Sequence, residues 1–126
     1  MSAAPWRVLA ADDDPTTRLL MQAALAGSDF ALTLADSGDN ALACFQVSAF
    51  DLALLDVEMP GLDGFAVCAA IRQTHGSGFP VVLMTGRSDP EFFERARQLG
   101  ARHIAKPIDW TSLAGQLRSL LAAAQR

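Results

Sequence analysis

Leu52-Ala-Leu-Leu55, ending on Asp56 and followed by the chain-breaking Met59-Pro-Gly61, decides the fold. A run with no polar residue in it reads as a strand covered on both faces, as in a parallel sheet. Similar runs flank it. On the N-terminal side lie Arg7-Val-Leu-Ala-Ala11, which stops at Asp12-Asp-Asp14, and Phe30 to Ala35. On the C-terminal side lie Pro80-Val-Val-Leu-Met84 and the short His103-Ile-Ala105. Helical stretches separate them. The first, Pro15 to Ala26, sets Leu19, Leu20, Ala23 and Ala24 on one face and is closed by Gly27. Ser37 caps a second, running to about Val47; a third passes through Phe65, Cys68, Ala69 and Ile71 to a loop at His75-Gly-Ser-Gly78. Pro90 opens a fourth, carrying Phe92, Phe93 and Ala96 and ended by Gly100, and Asp109 to Ala124 forms the last.

Strand and helix in strict alternation imply an α/β fold with a parallel sheet and helices on both faces. Right-handed crossovers leave few strand orders, and a flavodoxin-like, doubly wound five-stranded sheet of order 2-1-3-4-5 fits best. A closed eight-unit barrel would need roughly twice the length. The 126 residues suit one domain, 1–126, of a size that buries roughly two-thirds of its unfolded surface. A hydrophobic share of 51% excludes a disordered tail, and no apolar run approaches the ~18 residues of a membrane span. The N-terminus lacks the basic and apolar regions of a secretory signal. With 10 Lys+Arg against 14 Asp+Glu, the net charge of −4 argues against direct contact with nucleic acid. Cys44 and Cys68 fit no ligand spacing and read as buried free thiols in a reducing cytoplasm.

Ligands of open α/β sheets bind beyond the carboxyl ends of the strands, near the switch in strand order. Those ends carry Asp12-Asp-Asp14, Asp56, Thr85 and Lys106. The first and third strands flank the switch, so Asp12 or Asp13 should approach Asp56. Two carboxylates ~5 Å apart repel by roughly 3 kcal/mol at an effective dielectric near 20, so such a cluster recruits a cation. Oxygen-only ligands suit Mg²⁺, with Mn²⁺ as a substitute. Asp14 precedes Pro15 and reads as a helix cap, which leaves Asp12 and Asp13 as the metal pair. Lys106 and Thr85 offer a charge and a hydroxyl to phosphoryl oxygens, and Asp56 is placed to be the nucleophile of an aspartyl phosphate.

These residues resemble the receiver domain of a two-component response regulator over nearly the whole chain. The family's acidic pair falls on Asp12 and Asp13, and its acceptor segment on Leu54-Leu-Asp-Val-Glu-Met-Pro-Gly-Leu-Asp-Gly64 with Asp56 as acceptor. Its switch hydroxyl falls on Thr85 and its Lys-Pro pair on Lys106-Pro107. The resemblance implies transfer of a phosphoryl group to Asp56 from the phosphohistidine of a sensor histidine kinase or phosphotransfer protein. It implies Mg²⁺ held by Asp12, Asp13, Asp56 and the main-chain carbonyl of Glu58. It also implies a cytoplasmic switch, not a turnover enzyme, which acts on an output protein or fused domain. The fourth helix, fifth strand and last helix commonly form the contact surface, and phosphorylation can pair two receivers there.

Some positions vary or depart from the pattern. Gly86 follows Thr85 and should leave the phosphoryl site open. The switch aromatic falls on His103, a buried imidazole that reads either as core or as a pH-sensitive switch residue. Glu58 and Arg87 flank the path of an attacking water and are expected to pair and slow hydrolysis. Asp89 and Asp109 read as helix caps, Arg95 and Arg97 as a solvated face or a contact surface, and Trp110 as packing ahead of an interface anchor; His75 has no assigned role. A haloacid-dehalogenase-like phosphatase would carry its nucleophile on the first strand, with its acidic pair late. A flavodoxin would not put three aspartates in its phosphate loop, and a phosphorylation-independent pseudo-receiver would not keep the intact acceptor set. The length leaves no room for an output module, so the chain reads as a stand-alone regulator or the N-terminal piece of a longer one.

Overall fold

All five residues of β3 (Leu52–Asp56) are buried, as are those of β4 (Val81–Thr85), because helices cover both faces of the sheet there. The computed structural model describes residues 4–27 and 29–124. The chain continues outward from this pair through β1 (Trp6–Ala11), β2 (Phe30–Ala35) and β5 (Arg102–Ala105), with helices α1 (Pro15–Ala24), α2 (Gly38–Val47), α3 (Gly64–His75), α4 (Pro90–Gln98) and α5 (Trp110–Ala124) between and after them. Every pairing is parallel and the order is β2-β1-β3-β4-β5, as expected.

The pleat sorts the strands' side chains into two cores. Leu9, Ala53, Leu55 and Leu83 point to one face, where they meet Phe45 of α2, Phe65 of α3 and Phe92 of α4. Val8, Ala10, Leu54, Val82 and Met84 point to the other, against Met21 of α1 and Leu113, Leu117 and Leu121 of α5. Helix starts are set locally. The carboxylates of Asp14, Asp63 and Asp89 accept from the backbone N–H of Thr16, Ala66 and Phe92, and Ser37 accepts from Asn40. Asp109 takes the N–H of Thr111 at 3.1 Å at the head of α5. Arg72, in the last turn of α3, donates to the carbonyls of Gly76, Phe79, Leu99 and Gly100, tying that helix end to the α4–β5 connection.

Several expectations need correction. Leu19 and Leu20 do not share α1's buried face: they are 67% and 41% exposed, while Met21 and Leu25, four residues apart, face the sheet. His75 ends α3 instead of opening a loop, with Nδ1 2.9 Å from the Thr74 hydroxyl and its ring edge-on to Phe45 and Phe79. Cys68 is buried, and that burial raises its thiol pKa, but Cys44 is only half-buried. Among the described residues no helix is long and apolar enough to cross a membrane.

Candidate functional site

The register of the sheet assembles the site. Ala11 pairs with Leu55 and Thr85 with Ala105, so Asp12, Asp56, Thr85 and Lys106 leave adjacent strands at one edge. The Lys106 N–H bonds the Thr85 carbonyl at 2.9 Å, fixing where the lysine begins. Asp12, Asp13 and Asp56 present carboxylate oxygens that all lie within 4.8 Å of one another. Asp12 and Asp56 are buried at 0% and 3% exposure, whereas Asp13 faces solvent. Asp14 is absent from the cluster because its carboxylate caps α1, accepting from the Thr16 N–H and the Thr17 hydroxyl.

Lys106 Nζ reaches between the buried pair, 3.2 Å from Asp12 Oδ2 and 3.1 Å from Asp56 Oδ1. Its contact with Asp56 is an ion pair without hydrogen-bond geometry, and Asp56 Oδ1 is a buried oxygen with no hydrogen-bond donor. Burial, then the charge of Asp12, pushes the Asp56 carboxyl up to about 6, against the pull of Lys106. Burial alone would lower the Lys106 pKa, but the two carboxylates outweigh it and raise it. Three carboxylates, one of them with an oxygen short of a donor, suit a hard divalent cation, with oxygen ligands and open positions for water or phosphate.

Thr85 completes the floor at 1% exposure. Its hydroxyl donates to Glu58 Oε1 at 3.3 Å and accepts the Arg87 N–H at 3.0 Å. The expected Glu58–Arg87 pair does not form. Arg87 turns instead to Asp89, with Nε–Oδ1 at 3.0 Å and Nη2–Oδ2 at 2.9 Å, because the α4 cap is the nearer carboxylate in sequence and in space. Its side chain lowers the Asp89 pKa to about 2. Glu58 and Arg87 still share an open cleft of about 630 Å³ with Asp13, Met59 and Asp63. A Cβ at Gly86 would meet nothing within 4 Å, so the space beside that residue is open.

A family model described as the response regulator receiver domain matches residues 8–118. The chain belongs to this family. The receiver is 31% identical over 120 residues to the transcriptional activator protein IrlR of Burkholderia pseudomallei, covering 94% of this chain and 52% of that protein. It is 37% identical over 118 residues to the sensor histidine kinase GacS of Pseudomonas protegens, covering 90% of this chain and 13% of the kinase. The Vibrio cholerae chemotaxis protein CheY4 has a similar structure, with a TM-score of 0.84, 29% identity and coverage of 93% of this chain and 99% of that one. The chain thus spans about half the length of IrlR and a small part of GacS.

In this receiver the expected buried imidazole is not buried. His103 is exposed because β5 is an edge strand with no neighbour beyond it. Its ring leans on Phe93 at 5.0 Å and edge-on to Phe92 at 5.9 Å, joining β5 to α4 at the surface. Arg95 lies over the Phe65 ring at 4.3 Å, Arg97 pairs with Glu94, and Trp110 packs half-buried against the α1–α5 core. The network that the sequence reading missed is Thr85–Arg87–Asp89, in which a strand-end hydroxyl is linked to a helix cap. An arginine two residues from both an acceptor hydroxyl and a capping aspartate was its only signal.

Proposed function

We propose that this receiver is a phospho-accepting switch in which Asp56 takes a phosphoryl group from the phosphohistidine of a sensor histidine kinase or phosphotransfer protein. The observation that carries this is Asp56 Oδ1, a buried carboxylate oxygen with no hydrogen-bond donor, beside Lys106 and two further carboxylates. The carboxylate attacks phosphorus; the O–P bond forms as the N–P bond breaks, and the freed imidazole takes a proton from water. Mg²⁺, or Mn²⁺ in its place, would be held by Asp12, Asp13, Asp56 and the Glu58 carbonyl, and would neutralise charge on the transferred group. Lys106 pairs with a phosphoryl oxygen once Asp56 is esterified, and Thr85 donates its hydroxyl hydrogen to another.

Glu58 and Arg87 line the cleft beside Asp13 and are proposed to govern water's access, hence the phosphoryl lifetime. His103, packed on Phe92 and Phe93, is proposed to carry the change to the α4–β5–α5 surface. That surface would engage an output protein or fused domain, or a second receiver after phosphorylation. Residues 1–126 would act as one receiver domain in the cytoplasm, through protein contacts without binding nucleic acid or membrane and turning over no substrate beyond its own phosphoryl group.

Intact-mass spectrometry after incubation with acetyl phosphate and Mg²⁺ tests this. One added phosphoryl group is expected on the wild type and none on Asp56→Asn. An unmodified wild-type mass, under conditions that label a control receiver, refutes the reading and favours a pseudo-receiver. Steady hydrolysis of a phosphomonoester would favour a haloacid-dehalogenase-like phosphatase.

A further inference from the structure

A hydroxyl has a single hydrogen to donate, and that of Thr85 is already committed to Glu58 Oε1. We propose that Glu58 is a resting-state acceptor, competing with the phosphoryl group for the Thr85 hydroxyl hydrogen and thereby holding the switch off. The inference rests on the phospho-acceptor reading of Asp56 and adds a residue to its regulation.

The surroundings leave Glu58 free for this task. Its backbone is held by buried neighbours, Val57 at 3% and Met59 at 8% exposure, and the Val57 N–H bonds the Met84 carbonyl on β4 at 3.0 Å. The carboxylate itself reaches out from this fixed base to β4. Arg87, which lines the same cleft, is occupied by Asp89 and does not draw the carboxylate away. The resting bond is long, 3.3 Å to an exposed carboxylate, so a phosphoryl oxygen drawn close to Thr85 can take the hydrogen from it. A phosphoryl group on Asp56 would bring a second anion to the same hydroxyl, and the hydrogen goes to one or the other. Whichever wins also sets the backbone, because the Arg87 N–H donates to Thr85 Oγ1 at 3.0 Å and its side chain holds the α4 cap. Motion of Thr85 toward Asp56 therefore pulls on the head of α4.

A double-mutant cycle on the full chain tests the competition, with Mg²⁺ and beryllofluoride as a non-transferable stand-in for the phosphoryl group. Wild type, Glu58→Ala, Thr85→Val and the double variant are titrated by calorimetry. Removing the Glu58 charge relieves repulsion of the anion equally in both backgrounds, so that part cancels. Loss of the competing acceptor acts only where the hydroxyl exists. Glu58→Ala is expected to tighten beryllofluoride binding by roughly three- to tenfold more with Thr85 present than in the Thr85→Val background. Without ligand, the Arg87 amide resonance of Glu58→Ala should shift toward its bound position. Equal gains in both backgrounds, or weaker binding by Glu58→Ala, overturns the competition alone. A wild type that binds no beryllofluoride and takes no phosphoryl group from acetyl phosphate overturns the phospho-acceptor reading with it.

Discussion

Replacing Asp56 by Asn should stabilise the fold near neutral pH when no metal is present. The carboxyl is 3% exposed, and burial, with the charge of Asp12 behind it, pushes its pKa to about 6 from the ordinary 3.8. The sign follows from proton counting. Below its unfolded pKa, Asp56 holds its proton in both states and ionisation costs nothing. Between the two values the folded state keeps a proton that the unfolded chain releases, so folding loses ground as pH rises. Above about 6 the loss is complete. Two pKa units correspond to about 3 kcal/mol at most, and relaxation beside the exposed Asp13 reduces this to a working value of about 1–2 kcal/mol. Asn keeps the shape and removes the charge. Urea denaturation in EDTA at about pH 7 should therefore show the variant more stable by that amount, a melting rise of roughly 5 °C. The gap should narrow toward about pH 4, where the wild type is protonated. Mg²⁺ at ten times its dissociation constant should return about 1.4 kcal/mol to the wild type and little to the variant. A variant no more stable than wild type at neutral pH, or a gap independent of pH, would refute the reasoning.

Lys106→Ala leaves Asp12 and Asp56 without their shared cation, and should cost about 1–3 kcal/mol in metal-free urea melts. The same variant should bind Mg²⁺ several-fold more tightly in calorimetric titration, since the ammonium no longer repels the ion. A Cβ at Gly38 would overlap the Leu62 carbonyl oxygen, so Gly38→Ala should lose about 2 kcal/mol or more, whereas Gly86→Ala, facing open space, should stay within about 0.5 kcal/mol by the same melts. Asp89→Ala removes both the α4 cap and the partner of Arg87, and should cost about 1 kcal/mol in chemical denaturation.

Much of the fold was readable because its signals are local. An apolar run, an aspartate before a proline and a glycine after a helix act within a few residues, and β2 and α2 came out with the boundaries the pattern assigned. Errors arose where a side chain chooses between partners or faces. His103-Ile-Ala105 has the composition of a buried strand, but its place at the sheet edge leaves the imidazole in solvent. Arg87 could have met Glu58, yet the α4 cap took it first. Leu19 and Leu20 have the apolarity of core residues, but the stripe through Met21 and Leu25 faces the sheet.

By itself the sequence determined which charged and hydroxyl groups stand at the four strand ends, since strand length and helix capping are settled by neighbours in the chain. Only the tertiary structure decided how those groups divide their partners. Asp12 and Asp56 share one ammonium, Asp56 Oδ1 lacks a hydrogen-bond donor, and Thr85 gives its hydrogen to Glu58. Such allocations depend on distances of about 3 Å and on bond angles between segments far apart in the chain, which register and packing alone set.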